Sequence, residues 1–387
     1  MKTQEQLEQI KQQNLYRSRK VVEGSSCVHP VVNGQESLAF CSNDYLGFSD
    51  HPEVCKAFID AVKEYGVGTG SAHLVLGHTK AHYILEERLA DFCQTERALL
   101  FSTGYMANLG VISALTGKND LIVEDKLNHA SLIDGAQLSN AKLVRYSHLD
   151  IDQLNSRLAI AEANNTMIAT DGVFSMDGDM APLQLIIDSA KQSGAMVMVD
   201  DAHGLGVIGQ QGRGIIEEQR VNPSDVDLLI GTLGKGFGTA GAFVAGSEEM
   251  IEYLIQKART YIYTTAMPAA VAMATLKSVD LIESEPWRRE HLQKLIARFR
   301  RGAEQLDLTL VDSHTPIQPI IIGDAAATVK LSNLLAEQGV VVTAIRPPTV
   351  PKGTARLRVT FSASHSEQDV DTLLSALQIA ISEAGIC

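Results

Sequence analysis

Between residues 80 and 247 the sequence alternates short apolar runs with stretches of helical period, and this alternation constrains the fold more than any other feature. "ALLFSTG", "DLIVED", "MIATDGVFS", "AMVMVDDAHG" and "VDLLIGTLG" read as short strands. Between them lie helical segments. "AHYILEERLADF" sets Leu85, Leu89 and Phe92 on one face, and "PLQLIIDSAKQSG" carries Pro182 in the first turn and Gly194 as C-cap. Strands apolar on both faces and separated by helices predict a mostly parallel sheet covered on both sides. In such α/β sheets ligands sit at the carboxyl ends of the strands, where the polar residues of this chain cluster. Beyond about residue 270 the texture changes to a long charged helix, "WRREHLQKLIARFRRGAEQL", followed by mixed helix and strand. The expected organisation is an N-terminal helix and strand segment (1–45), a large domain (46–270) and a smaller α+β domain (271–387). The N-terminal helix and the strand around "LAFCSN" are expected to join the small domain.

Charge narrows the function. Lys and Arg number 33 against 46 Asp and Glu, a formal net charge of −13. Such an acidic chain is a poor binder of nucleic acid or anionic membrane, so an anionic ligand must be held by placed cations and backbone N–H groups. No run of about 18 apolar residues occurs, and "MKTQEQLEQIKQQNLYRSRK" lacks the apolar stretch of a secretory signal. Cys27, Cys41, Cys55, Cys93 and Cys387 are odd in number and form no CxxC pair. They predict reduced thiols in the cytoplasm, with neither a disulfide framework nor a metal site.

Lys235 lies inside "GTLGKGFGTAGAFVAGS". A phosphate-cradling GxxxxGK[ST] loop would need Gly at 229 and Ser or Thr at 236, where the chain has Leu229 and Gly236. Gly236, Gly238 and Gly241 match GxGxxG, but the match overlaps a strand rather than opening a helix. The remaining role is covalent. A partly desolvated lysine amine is a nucleophile toward an aldehyde, and flanking glycines would admit a planar ring. Pyridoxal phosphate asks for such a lysine, for a carboxylate beside its pyridine nitrogen, and for a phosphate cup. Asp200, of the pair Asp200–Asp201, ends the strand "MVMVD" on its core side, with His203 following. Gly104 and Tyr105 open a helix after "FST". Thr232, Thr264 and Thr265 offer hydroxyls for the cup. His129, taken alone, reads as a capping or core histidine.

"CSNDYLGFS", "LLFSTGYMANLGVISAL", "LNHASLIDGA", "DGVFSMDGDMAPL", "VDDAHGLGVIGQQGRG", "TLGKGFGTAGAF" and "RLRVTFSASH" together resemble the α-oxoamine synthases. The match runs through nearly the whole chain in the family's order. It implies the aspartate-aminotransferase-like fold (fold type I), with a seven-stranded, mostly parallel sheet. It also implies a homodimer with shared active sites. Lys235 would form the Schiff base with pyridoxal phosphate and move protons at the substrate α-carbon. Asp200 would pair with the pyridine nitrogen, and His203 would bond the phenolic oxygen. His129 would stack on the ring, replacing its blander reading. Ser175 would lie beside the cofactor. Gly104, Tyr105 and Thr232 would hold the phosphate, with Thr264 or Thr265 arriving from the partner subunit. Asn43 and Arg358 would hold the amino-acid carboxylate, and Arg17 and Thr349 would contact substrate.

The C-terminal "IQPIIIGD" and "VTAIRPPTVPKGTARLRVT" most resemble the branch of the family that serves biotin synthesis. That branch condenses L-alanine with a pimeloyl thioester of CoA or a carrier protein and releases CO2 and the thiol. Sister members take glycine or serine with other acyl groups, and the cofactor residues do not separate them. Two departures stand out. Asp171 replaces a common Glu, and His73 and His78 interrupt a loop that could line the acyl channel.

Overall fold

The computed structural model describes residues 3–12, 16–17, 19–25, 28–159 and 163–385; Cys27 and Cys387 lie outside them. Seven strands, β1 (Arg97–Phe101), β2 (Leu121–Asp125), β3 (Lys142–Tyr146), β4 (Thr166–Asp171), β5 (Met196–Asp200), β6 (Leu228–Thr232) and β7 (Ala242–Gly246), form one sheet in the order β1-β7-β6-β5-β4-β2-β3. Neighbours are parallel except around β7, which runs antiparallel to both β6 and β1. Alternate residues of each strand point to opposite faces, and both faces are covered. Leu100, Val123, Ile168, Val199 and Leu229 join one apolar core, while Leu99, Ile122, Met167, Met198 and Ile230 join the other. That double burial is why the strands lack polar alternation.

Helices α1 (Pro52–Tyr65), α2 (Lys80–Cys93), α3 (Gly104–Leu115), α4 (Ala130–Ser139), α5 (Leu183–Ser193) and α6 (Ala269–Ser284) flank this sheet. Leu85, Leu89 and Phe92 of α2 are fully buried, as their spacing requires. Gly194 caps α5 at φ 67°, while Pro182 is its N-cap, one residue ahead of the expected first turn. Thr103 caps α3 by accepting the Met106 N–H at 3.1 Å.

The boundary expected at 270 falls beside the first residue of α6, and that helix goes with the large domain. Ala272, Val279 and Ile282 pack into the same core as Leu85 and Val54. Its amphipathic pattern shows a buried face without showing which core buries it. The smaller unit is built on β8 (Ile317–Gly323), β9 (Thr343–Ile345) and β10 (Ala355–Thr360), antiparallel in the order β8-β10-β9. Helices α7 (Trp287–Gln305), α8 (Ala325–Glu337) and α9 (Glu367–Ala384) cover it. Leu38–Ala39 pairs in parallel with Val340–Val341, so the expected N-terminal strand does join this unit. The helix Thr3–Gln12 does not: every residue of it is exposed. Its few apolar side chains are too sparse to form a buried stripe. No described helix is long and apolar enough to cross a membrane.

Candidate active site

The sheet delivers its polar residues to one edge. Asp171 ends β4 and Asp200 ends β5, and the two are paired in register, with Thr232 ending β6. Asp200 accepts the Ala202 N–H at 3.1 Å and the Asn108 amide at 2.6 Å. The same Asn108 nitrogen donates to Ser131 Oγ at 2.8 Å. Ser131 Oγ lies 2.7 Å from His129 Nδ1, and the Asp171 carboxylate accepts the His129 N–H at 2.8 Å. Burial, reinforced by the neighbouring Asp200 charge, holds the Asp171 carboxyl well above the usual carboxylate range. The shorter arm at 171 therefore still fixes the backbone of His129. Asp201, by contrast, turns inward to accept the Ile215 N–H at 2.8 Å, and burial pushes its pKa up to about 8. Of the Asp pair, only Asp200 faces the site's other polar groups.

His129 has the capping role of its blander reading. It is the N-cap of α4, and its Nδ1 accepts the Ser131 N–H at 3.3 Å. Its ring meets that of Tyr105 edge-on at 6.3 Å. The Tyr105 hydroxyl bonds Asp134. Gly104 opens α3 opposite Thr232: a Cβ built on it would stand 3.9 Å from Thr232 Oγ1. In the first turn the Met106 and Ala107 N–H groups are taken by Thr103. Those of Gly104 and Tyr105 have no partner within the helix, and the helix dipole adds positive potential there.

A second chain of contacts runs through the lysine. Lys235 Nζ lies 2.8 Å from His203 Nε2, and Tyr45 Oη lies 2.7 Å from His203 Nδ1. Tyr45 donates to Asn43 Oδ1 at 3.1 Å, which also accepts from Arg358 Nη1 at 3.3 Å. Arg358 Nε donates to the Ser175 carbonyl at 2.6 Å. Burial lowers the Lys235 pKa to about 8, with Asp200 opposing the shift. Burial, then the lysine's charge, holds His203 well below its ordinary value. A neutral His203 that accepts from Lys235 at Nε2 must carry its proton on Nδ1, toward Tyr45.

Lys235, His203, Asn43, Arg358 and Ser175 thus meet in one network, and Asp200, His129, Gly104, Tyr105 and Thr232 line the adjoining strand ends. Three members escaped the sequence reading. Tyr45 lay in a quoted motif two residues after Asn43, while Asn108 and Ser131 follow Gly104 and His129 at i+4 and i+2. Arg17 is exposed in the N-terminal segment, where the Tyr16 carbonyl accepts from Arg346 at 3.3 Å. Thr349 is exposed on a turn that its N–H closes against Arg346. No described contact brings Arg17 or Thr349 to the lysine. Thr264 and Thr265 lie on a segment bridged to the 69–78 loop through Ala72 and Thr265. His73 and His78 both pack on His82 of α2. They approach each other at 3.1 Å, and His73 stacks on Tyr261, leaving Leu74, Val75 and Leu76 exposed.

Gly236 and Gly238 beside Lys235 have a packing reason, whereas Gly234 has room for a Cβ. A Cβ on Gly236 would strike the Leu205 carbonyl and Val207, and one on Gly238, at φ 66°, would strike Phe48. They seat the lysine loop on its neighbours. Room lies at Gly234 and, across the strand ends, at Gly104.

Residues 35–377 match the family of class I and II aminotransferases. A curated relative, 8-amino-7-oxononanoate synthase of Pseudomonas syringae pv. tomato, is 58% identical over 94% of this chain and 92% of its own. The chain belongs to the 8-amino-7-oxononanoate synthases. A solved Sphingomonas wittichii serine palmitoyltransferase superposes with a TM-score of 0.94 at 33% identity, covering 99% of this chain and 97% of its own. A structure of SPT with pyridoxal phosphate as internal aldimine gives 0.94 at 30% identity over 100% and 98%. The architecture is accordingly that of the fold type I enzymes, and the cofactor is pyridoxal phosphate. The residues fit it. Lys235 is a desolvated amine with a lowered pKa, and Asp200 is a buried carboxylate oriented by two donors. Gly104 leaves space beside Thr232 at a helix N-terminus.

Proposed function

We propose that the chain condenses L-alanine with a pimeloyl thioester, of CoA or a carrier protein, to form 8-amino-7-oxononanoate with release of CO2 and the thiol. The reading rests on membership of the 8-amino-7-oxononanoate synthases together with one observation, the continuous contact from Lys235 through His203, Tyr45 and Asn43 to Arg358. Pyridoxal phosphate, when bound, supplies an electron sink for the α-carbon. Lys235 holds it and moves the α-proton, for which a pKa near neutrality suits an amine. Asp200, oriented by Asn108, keeps the pyridine nitrogen protonated. Gly104, Tyr105 and Thr232 hold the phosphate, and His129 and Ser175 border the ring. Arg358 and Asn43 bind the amino-acid carboxylate, a task suited to a planar guanidinium. Arg17 contacts the acyl substrate, and Thr349 contacts substrate.

The assembly we infer is a homodimer in which Thr264 or Thr265 of one subunit completes the other's phosphate cup. Exposed Leu74, Val75, Leu76 and Tyr263 beside that segment support an interface there. The cytoplasm supplies the thioester this reaction needs. The test is thiol release by the purified, pyridoxal-phosphate-loaded protein with L-alanine, glycine or L-serine, each with pimeloyl-CoA. Release with alanine alone supports the reading. Release only with glycine or serine moves the chain to a sister activity.

A further inference from the structure

His148 stands outside the site, yet it is bonded on both sides. Its Nδ1 lies 3.0 Å from Asp125 Oδ1, at the end of β2, and its Nε2 lies 2.8 Å from Asp179 Oδ2. Carboxylate oxygens accept only, so both ring nitrogens must carry a proton and the ring is an imidazolium. Burial alone would lower its pKa; the bonds from Asp125 and Asp179 override burial and push it up to about 10. Asp125 has other donors, the Leu127 and Leu149 N–H groups. Asp179 has none: its Oδ1 is buried without a hydrogen-bond partner. The charge of Asp179 is therefore balanced by His148 alone among the described residues.

Asp179 closes a tight turn. The Phe174 N–H donates to its carbonyl at 3.0 Å, and the Phe174 ring meets the His148 ring edge-on at 4.5 Å. Within this turn the Ser175 carbonyl accepts Arg358 Nε, and Asp177 pairs with Arg356. The small domain thus grips one side of the turn; on the other, Phe174 is buried in the large-domain core and Val173 bridges Met180, and His148 is the cation that ties the turn to the end of β2.

We propose that His148 is a positioning residue: by bridging Asp125 and Asp179 as a cation it fixes the 174–179 turn, and through the Ser175 carbonyl it sets Arg358 for the amino-acid carboxylate. This rests on the assignment of Arg358 to that carboxylate. Loss of the cation leaves the half-buried Asp179 carboxylate uncompensated, the turn shifts, and Arg358 loses its anchor.

The test compares wild type, His148→Gln and His148→Gln/Asp179→Asn holoenzymes. The single variant should raise KM for L-alanine by about tenfold while kcat stays within about threefold, and the double variant, freed of the orphaned charge, should recover most of the loss. Pyridoxal phosphate affinity should not change. Nitrogen NMR of histidine-labelled wild type should show His148 protonated on both nitrogens at pH 8. If His148→Gln does not fold, Asp179→Ala alone, which removes the hydrogen bond that the two amides of the double variant can remake, should raise KM in the same sense. An unchanged KM, a loss falling on kcat, no recovery in the double variant, or a singly protonated ring overturns the proposal and leaves the substrate reading standing. A wild type that binds no amino acid overturns both.

Discussion

Lys235 Nζ donates to His203 Nε2 across 2.8 Å, and this bond sets the polarity of everything beyond it. With Nε2 accepting, His203 donates from Nδ1 to Tyr45, Tyr45 donates to Asn43, and Asn43 Oδ1 takes a second donor from Arg358. Each hydroxyl and ring nitrogen has one available role. Tyr45→Phe removes the acceptor for Nδ1 and leaves Asn43 with one donor. Its kcat/KM for L-alanine should fall about tenfold, the scale of one buried hydrogen bond. An unchanged value would show that the chain is not used.

The lysine also leaves a mark on stability. Its pKa is about 8 when folded and near 10.5 when free, so between these values the unfolded chain holds the extra proton. Stability of the cofactor-free protein should then rise with pH from 8 to 10.5, by up to about 1.4 kcal/mol per unit from this group. Urea unfolding at pH 8 and pH 9.5 should show that rise in wild type and a smaller one in Lys235→Met. Equal slopes would contradict the lowered value.

Asn108 predicts a graded pair of variants. Asp200→Asn removes the charge itself and should lower kcat by about 10²-fold or more. Asn108→Ala leaves the carboxylate but frees it, so the fall should be smaller, about tenfold, with weaker pyridoxal phosphate binding. Fluorescence titration with the cofactor and steady-state rates would check the order; Asn108→Ala as damaging as Asp200→Asn would refute it.

Glu86 tests the electrostatics away from the chemistry. Burial raises its pKa to about 8, against the opposing pull of the Leu100 N–H bonded to it at 3.0 Å. The folded protein keeps a proton that the unfolded chain releases near 4.5, so this contribution is complete at low pH and is lost as pH rises toward 8. Glu86→Gln keeps an acceptor for Leu100 and never ionises. Relative to wild type it should gain stability steadily from pH 5 to pH 8, measurable by thermal unfolding across that range.

The strands were legible because burial on both faces leaves few polar residues inside them, Glu124 and Thr170 among the exceptions, so the polar residues after each run mark the sheet's working edge. Asp200, Thr232 and Lys235 were found that way. Tyr45 and Asn108 were not, because their partners lie 158 and 92 positions away and no local period encodes such a contact. The glycines of the lysine loop were only partly legible for a related reason. A missing side chain signals a close approach without saying what approaches, and for Gly236 it is Leu205. The boundary near 270 had the same ambiguity, since a buried helical face does not name its core. The contacts of His73 and His78 with Tyr261 and α2 were likewise hidden, because they join a loop to elements with no local period in common.

Asn43 and Arg358 stand 315 positions apart and share one hydrogen bond, while Leu38–Ala39 waits for Val340–Val341 to pair with it. On a ribosome adding about 5–20 residues per second, the interval between the two ends is on the order of tens of seconds. Once residue 246 has been added, the large sheet can close with Lys235 and Asp200 in place while the carboxylate pocket does not yet exist. A nascent chain halted before residue 358 would carry the cofactor residues without a complete place for the amino acid, so translation itself orders the two halves of the site.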